Sequence, residues 1–164
     1  MIASVLVACA PALDWREFMP EGSGVGATFP CRPDRHARVV AVAGSRVQME
    51  LLVCSAGGST FALGFVDIAD PVRVTPALGE LRDVMLANVN GAAGRVVPAQ
   101  VTGMTPNPQA LRLATSGRLP DGAPVQAEAM FFVKGLRVYQ ATVIGTAPAP
   151  QVIETFFGGL KFPS

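Results

Sequence analysis

The feature of this sequence that most restricts its fold is a pair of long apolar segments, residues 125–133 and 136–144, joined by Lys134 and Gly135. Both segments are rich in β-branched and aromatic residues, which favour strands. A two-residue connection containing glycine is typical of a tight hairpin, because glycine adopts positive φ at little cost. The sequence therefore predicts an antiparallel hairpin here, and with it an antiparallel sheet.

Further apolar segments extend this prediction to two strand meanders. After a strand over residues 27–31, the first meander comprises residues 37–42, 47–53 and 60–68, and the second comprises residues 95–101 and 111–115 together with the hairpin. Residues 43–46 are predicted to turn the chain between the strands at 37–42 and 47–53. Phe61, Leu63 and Phe65 recur at every second position, which indicates a sheet with one covered face.

Two predicted helices supply that cover. Thr75 is the expected N-cap and Pro76 the first helical residue of a helix that runs up to Gly91. Its apolar residues recur at helical spacing, and they are Leu78, Leu81, Met85 and Val89. Its polar residues are expected on a solvated face, and they are Glu80, Arg82, Asp83 and Asn88. A second, short helix follows Pro150 and stops at Gly158. The predicted fold class is therefore α+β, an antiparallel sheet of two meanders covered by two helices.

Composition excludes several classes of function. The chain has 164 residues, a net charge of +1 and only 15% charged residues, so it carries no electrostatic footprint for nucleic acid. His36 is the only histidine, and no cysteine spacing typical of a metal site is present. Neither a glycine-rich phosphate loop in the right context nor a nucleophile elbow occurs. We therefore expect no metal, no cofactor and no enzymatic activity.

The residues before Cys9 resemble the end of a secretory signal. Leu6, Val7 and Ala8 directly precede Cys9, and this order resembles the bacterial lipobox, whose cysteine is acylated and becomes the mature N-terminus. Only eight residues precede Cys9 and none is Lys or Arg, so we expect the true start to lie further upstream. The alternative is a chance match in an N-terminal strand or a frayed segment.

The interpretation of these residues as a lipobox divides the chain into three parts. Residues 1–8 are the remnant of a lipoprotein signal peptide, residues 9–14 a tether, and residues 15–164 a single domain. By resemblance to other lipoproteins, Ala10 favours the inner leaflet of the outer membrane, with the domain facing the periplasm. The membrane is then reached through a lipid anchor.

Removing Cys9 leaves Cys31 and Cys54, an even number, which an oxidising compartment would favour as a disulfide. Such a bond would cross-link the first hairpin and stabilise the fold by roughly 3 kcal/mol in the chain-entropy model. A bend at Pro33 would be needed, because a simple hairpin leaves Cys31 a few residues beyond the ideal partner of Cys54. Two buried free thiols and a catalytic thiol are the alternatives.

Two segments are candidate contacts for a partner. The most concentrated charge in the chain comes from Arg32, Arg35, His36 and Arg38. These side chains could bind a carboxylate or phosphate. The alternative is a solvated strand edge whose charges discourage aggregation. The second segment is a loop that is apolar and then rigid, with Met104, Pro106 and Pro108, and its alternative is a plain structural connection.

Several short motifs resemble those of known proteins. Residues 28–33, Thr-Phe-Pro-Cys-Arg-Pro, the hairpin around Tyr139, and residues 156–162 resemble corresponding segments of the PsbP/Mog1-like α/β sandwich. Residues 104–110 and 119–122, with the two later cysteines, resemble a group of uncharacterised envelope lipoproteins from proteobacteria. The likeness to the PsbP/Mog1-like fold implies an accessory or assembly protein that binds other proteins. The likeness to the lipoprotein group does not indicate any particular activity.

These observations predict a non-enzymatic bacterial envelope lipoprotein that binds a protein or scaffolds a complex. One rival is a carrier of a small apolar ligand. It would need a cavity between sheet and helices, walled by Phe61, Phe65, Met85, Phe131 and Phe156. The other rival is a thiol enzyme that uses Cys31 or Cys54.

Overall fold

A seven-stranded antiparallel sheet forms the centre of the structure, a computed structural model that describes residues 13–164. Within that range the strands are β1 (Arg16–Phe18), β2 (Ala27–Phe29), β3 (Asp34–Val42), β4 (Ser45–Ala56), β5 (Ser59–Asp67), β6 (Val96–Pro98), β7 (Leu111–Arg118), β8 (Pro124–Lys134) and β9 (Arg137–Gly145). The helices are α1 (Val74–Asn88), which follows a 3-10 turn at Pro71–Arg73, and α2 (Pro150–Gly158). None of the described helices is long and apolar enough to cross a membrane.

The strand order in the sheet is β3-β4-β5-β9-β8-β7-β6, and every neighbouring pair is antiparallel. The predicted α+β class and the two meanders are thus confirmed, with β9 of the second meander pairing with β5 of the first. The strand predicted over residues 95–101 is shorter, since β6 covers only Val96–Pro98. A two-stranded ribbon of β1 and β2 was not predicted.

The hairpin of β8 and β9 is confirmed, but its turn lies one residue later than predicted. Lys134 pairs with Arg137, so Gly135 and Leu136 form the connection. Gly135 has a φ of 61°, the positive value that the first residue of a type II′ turn requires. Glycine therefore fixes this hairpin, as the sequence indicated.

The turn between β3 and β4 is also a two-residue connection rather than the predicted four. Val42 pairs with Ser45, and the intervening Ala43 and Gly44 have φ values of 53° and 75°. Positive φ at both positions is the signature of a type I′ turn, which matches the twist of the strands it joins. The tight turn sets the register of both strands.

The start predicted for α1 was wrong. The helix already includes Val74, and Thr75 is not its N-cap, because the Thr75 hydroxyl accepts a hydrogen bond from the Asn107 side chain at 2.8 Å. Capping occurs one turn earlier, where the Asp70 carboxylate accepts from the Val72 N–H at 3.0 Å and Pro71 follows directly. The cap-and-proline pattern of the sequence occurs twice, and the earlier copy starts the helical segment.

The sheet is covered on both faces, not on one as its alternation indicated. Helix α1 covers one face, over a core that includes Val66, Phe131 and Leu78. The β1–β2 ribbon, α2 and the C-terminal residues cover the other face, over a core that includes Phe61 and Phe156. Two separate cores therefore stabilise the molecule.

The five side chains proposed to wall a ligand cavity do not meet. Phe61, Phe65 and Phe156 belong to the core under the ribbon and α2. Met85 and Phe131 belong to the core under α1, on the opposite face of the sheet. These five residues therefore cannot enclose one cavity.

The C-terminal residues form part of the second core. Leu160 and Phe162 are buried, and Lys161 lies between them on the surface. The backbone of Lys161 pairs with Gly26 in both directions, at 2.8 and 3.1 Å. This bridge fastens the chain end to the β1–β2 ribbon.

Candidate functional site

Cys31 and Cys54 form a disulfide, with an S–S distance of 2.05 Å and Cα atoms 5.9 Å apart. This confirms the predicted bond, so the alternative of two free thiols does not describe this structure. Cys31 follows the end of β2, and Cys54 lies in β4. The bond therefore joins the small ribbon to the main sheet, with Pro33 in the connection between them.

A surface cleft lies beside this disulfide, and we call it the arginine cleft. Its volume is about 680 Å³, and its wall includes Arg16, Arg32 and Arg35. Phe18 and Leu52 contribute apolar surface. The ribbon forms one side and the edge of the main sheet the other, so the disulfide holds the two sides together.

The three arginines differ in how far their charges are satisfied. Arg16 forms an ion pair with Asp14 at 2.5 Å, and the hydrogen bond from that pair raises the pKa of the Arg16 guanidinium. Arg35 pairs with Glu50 at 3.0 Å and donates to the backbone carbonyl of Glu21 at 2.6 Å. Arg32 is exposed and has no ion pair among residues 13–164.

The cleft can therefore hold a group that is apolar in part and carries negative charge. A guanidinium binds carboxylate or phosphate through two parallel hydrogen bonds, and Arg32 is available for this. The apolar wall would receive the remainder of the bound group. Both sulfur atoms beside the cleft are engaged in the disulfide and supply no thiol nucleophile.

The four charged residues predicted to act together are divided by the structure. Arg35 lies opposite Leu52 in β4, on the face that carries the arginine cleft. His36 and Arg38 lie opposite Leu51 and Met49. Neighbouring residues of a strand point to opposite faces, so His36 and Arg38 are on the α1 side. The cleft receives only Arg32 and Arg35 from this cluster.

The loop proposed as a second contact lies elsewhere. Met104 packs against the core, while Pro106 and Pro108 are exposed. The loop is fixed to the β8–β9 hairpin, because the Thr105 N–H donates to Val133 and its hydroxyl accepts from the Gly135 N–H at 3.0 Å. In the strand order, β8 is four places from β3. The loop and the cleft are therefore separate surfaces.

A second concave surface runs between β3 and α1 on the other face of the sheet. We call it the β3 groove and define it by Val40, Val42, Leu81, Val84 and Met85, with Arg38, Glu80 and Asp83 at its rim. Its volume is about 540 Å³. This groove was not predicted, although alternation in β3 and helical spacing in α1 place these residues on apolar faces.

Cys9 lies outside the described residues, so the lipobox stays a prediction. Comparison with models of protein families gives no match, and comparison with curated proteins finds no similar sequence. The interpretation of both concave surfaces therefore rests on their geometry and charge.

Proposed function

We propose that this chain is a non-enzymatic lipoprotein of the bacterial envelope, anchored through Cys9, whose domain binds another protein. The observation that carries the proposal is the disulfide between Cys31 and Cys54. Disulfides persist in oxidising compartments such as the periplasm and are rare in the cytosol. The bond therefore supports export.

The same pairing supports a separate role for the third cysteine. With Cys31 and Cys54 bonded, Cys9 is the cysteine left over in a chain of three. Leu6, Val7 and Ala8 precede it in the order of a lipobox. Acylation at Cys9 would attach the domain to the membrane, and Ala10 favours the outer membrane's inner leaflet.

The arginine cleft supports a binding role. Arg32 is an exposed guanidinium without an ion pair in the described part of the chain, beside apolar surface from Phe18 and Leu52. Arginine next to apolar side chains is typical of protein contact sites. We further propose that the fold is a PsbP/Mog1-like sandwich, which the central sheet with a helix on each face supports, and whose members are accessory or assembly proteins.

Fatty-acid labelling tests the anchor. The gene is expressed in a proteobacterium with its natural upstream DNA, and cells receive an alkyne analogue of palmitate. We expect label on the wild-type protein and on the Cys54→Ser variant, and none on Cys9→Ser. Absence of label on the wild type, or label that persists in Cys9→Ser, would refute acylation at this residue.

Photo-crosslinking tests the binding role in the same cells. A photoreactive phenylalanine replaces Met19, an exposed residue of the cleft wall, or, as the control, Arg118, an exposed residue at the end of β7. Arg32 stays in place, and we expect a discrete protein adduct from position 19 and none from position 118. Equal adduct patterns at the two positions would contradict a partner at the cleft.

A second candidate function is carriage of a small amphiphilic anion. The volume of the arginine cleft, about 680 Å³, lies in the range of small-molecule sites, roughly 300–1,000 Å³. Arg32 would bind the anionic group there. Mass spectrometry of organic extracts of the purified protein distinguishes this function, because a carrier retains a stoichiometric ligand that Arg32→Gln releases.

A further inference from the structure

Strand β3 is a long open edge of the main sheet. Among the described strands it pairs with β4 alone, it has nine residues, and none of them is proline. The opposite edge, β6, has three residues and ends in Pro98. A short edge strand and a proline are two of the usual features that block strand addition. The two edges of this sheet are therefore not equivalent.

The hairpin register shows which backbone groups of β3 face outward. Val42 and Ser45 flank a two-residue turn, so they exchange both of their backbone hydrogen bonds. Alternation along the strand then points the N–H and C=O groups of residues 35, 37, 39 and 41 away from β4. These groups have no hydrogen-bond partner within residues 13–164.

The β3 groove runs directly along this edge. It is lined by consecutive β3 residues on one side and by α1 on the other. Val84 of α1, which lines the groove, is 53% exposed. An added strand would lie about 4.8 Å from β3, so every second side chain of that strand would enter the groove. An apolar side chain at those positions would cover Val84.

The face of β3 opposite the groove carries a net positive charge. Arg35 and Arg46 lie on that face, towards the two ends of β3, with Glu50, which pairs with Arg35. Arg38 lies at the groove rim beside Glu80 and Asp83. Arg38 and Arg46 have no ion pair among the residues described. A second copy paired antiparallel about residue 38 would place Arg38 opposite its own copy, and facing like charges destabilise a strand pair. An acidic segment is complementary.

We infer that the β3 edge binds an extended segment of a partner protein by strand addition, and that this segment alternates apolar and acidic residues. Its backbone pairs with the outward groups of residues 35–41. Its apolar side chains enter the β3 groove, and its acidic side chains lie near Arg35 and Arg46. The inference rests on the proposed protein-binding role and is independent of acylation at Cys9.

Labelled synthetic peptides test the inference with the full chain. One peptide alternates valine and glutamate, and a matched peptide alternates valine and lysine. Fluorescence anisotropy should show saturable binding of the glutamate peptide, with the lysine peptide at least roughly tenfold weaker. No binding of the glutamate peptide, or equal binding of both, would overturn the inference.

Backbone methylation separates strand addition from charge attraction. N-methyl groups are placed on either set of alternate residues of the glutamate peptide, which leaves its charge unchanged. Only one set faces β3 in an added strand, so we expect one methylated peptide to lose affinity about tenfold and the other to bind normally. Equal affinities would exclude strand addition.

A pair of variants locates the peptide on the protein. Ala37→Pro removes an outward N–H while the bonds to β4 remain, because proline is tolerated on an edge strand in this orientation. Ala37→Val retains the N–H. We expect binding to fall about tenfold in Ala37→Pro and to stay within about twofold in Ala37→Val. Unchanged binding in a folded Ala37→Pro would place the peptide elsewhere and refute the inference.

The outcomes distinguish this inference from the wider proposal. A crosslink at position 19 without peptide binding would refute the edge site and leave the binding role. Edge-dependent peptide binding without fatty-acid labelling would refute the anchor alone. Self-association that Ala37→Pro abolishes, seen by sedimentation at rising protein concentration, would assign the edge to a second copy and overturn the acidic partner.

Discussion

Tyr139 shows how one polar atom is used inside the second core. Its ring stacks on Phe132 at a centroid distance of 4.9 Å, and it is almost fully buried. Its hydroxyl donates to the backbone carbonyl of Ser23 at 2.7 Å. Because the loop that contains Ser23 joins β1 to β2, this bond links the ribbon to β9 of the main sheet. Removing the hydroxyl would leave a buried carbonyl without its donor.

Replacing Tyr139 with Phe should therefore lower the free energy of unfolding by about 1–3 kcal/mol at neutral pH. Urea titration measures this loss. Burial raises the pKa of the Tyr139 phenol above its ordinary value of 10.0. The folded state thus holds the proton more tightly than the unfolded state, so this contribution is complete below pH 10 and declines as the pH rises further.

The chain has a single tyrosine, so phenolate absorbance reports on Tyr139 alone. We expect its titration midpoint to lie higher in the native protein than in the same protein unfolded in urea. The stability difference between the wild type and Tyr139→Phe should decrease above pH 10. A native midpoint equal to the unfolded one would contradict the buried hydrogen bond.

For individual residues, the sequence predicted which residues pair better than it predicted the environment of each side chain. Cysteine parity predicted the bond between Cys31 and Cys54, and glycine predicted the β8–β9 hairpin. Arg35 and His36 were grouped by closeness in sequence, although adjacent strand residues must face opposite sides. That separation could have been predicted from the strand period alone. The hydrogen bond to Ser23 could not, because it depends on how the ribbon docks.

The end of α1 approaches the sheet at Gly117, a residue of β7. A Cβ atom at this position would lie 2.0 Å from the carbonyl oxygen of Val89, at the end of the helix. The same carbonyl accepts a hydrogen bond from the Arg118 N–H at 2.6 Å. Backbone meets backbone here, and neither side can move as a flexible side chain would. The glycine is required for close approach.

Gly117→Ala should therefore destabilise the protein by about 1–3 kcal/mol, since the added methyl must push the helix end away from β7. Gly158, in the last turn of α2, is the matched control, because a Cβ there meets nothing within 4 Å. Gly158→Ala should be neutral or stabilising by up to about 1 kcal/mol. Urea midpoints compare the two, and equal losses would show that the contact at Val89 is not what matters.

Helix α2 is held on the other face by a charged network. The Arg112 side chain is only 14% exposed, and it bonds to Glu128 at 2.8 Å and to Glu154 of α2 at 2.5 Å. Its guanidinium also lies over the Phe157 ring, 4.7 Å from the centroid. The hydrogen bond from Arg112 lowers the pKa of Glu154. The network orients the helix, whose apolar residues supply most of the packing.

Elements differ in how far local sequence specifies them. Alternation and helical spacing predicted β3, β4, β5 and both helices. The three-residue strands β1 and β2 are too short to show a period, and their pairing depends on contacts with Lys161 at the far end of the chain. The start of α1 was misplaced because two cap-and-proline patterns, Asp70-Pro71 and Thr75-Pro76, lie close together in the sequence. Long elements can thus be predicted, and β2 lies within the strand predicted over residues 27–31, whereas β1 and the pairing of the ribbon could not be predicted.

For the molecule as a whole, both concave surfaces meet at the same edge. The arginine cleft uses Arg35 on one face of β3, and the β3 groove uses Val40 and Val42 on the other. The strand between them is the open edge of the sheet. Periodicity indicated one covered face, because a central strand that is apolar on both faces still shows alternation in size. That a core lies on each face of the sheet, and that a groove forms beside α1, could be recognised only from the tertiary structure.

The disulfide should matter for the stability of the whole fold, since it ties the ribbon to the sheet across a sequence separation of 23. Without the bond, the unfolded chain gains conformational entropy, which in the chain-entropy model lowers the free energy of unfolding by roughly 3 kcal/mol. We expect this loss in a Cys31→Ala, Cys54→Ala double variant, compared by urea titration with its parent in a Cys9→Ser background that prevents exchange. Alanine avoids placing a buried hydroxyl at position 54.

Reductant provides the internal control for the same experiment. It should lower the urea midpoint of the parent to about that of the double variant and leave the double variant unchanged. Trp15, whose ring makes an edge contact with Phe61 at 5.8 Å, reports the unfolding of the ribbon by fluorescence, and circular dichroism reports the sheet. Because the bond joins the two, removing it should let the ribbon unfold at lower urea than the sheet. A parent midpoint that does not respond to reductant would show that the bond contributes nothing to stability.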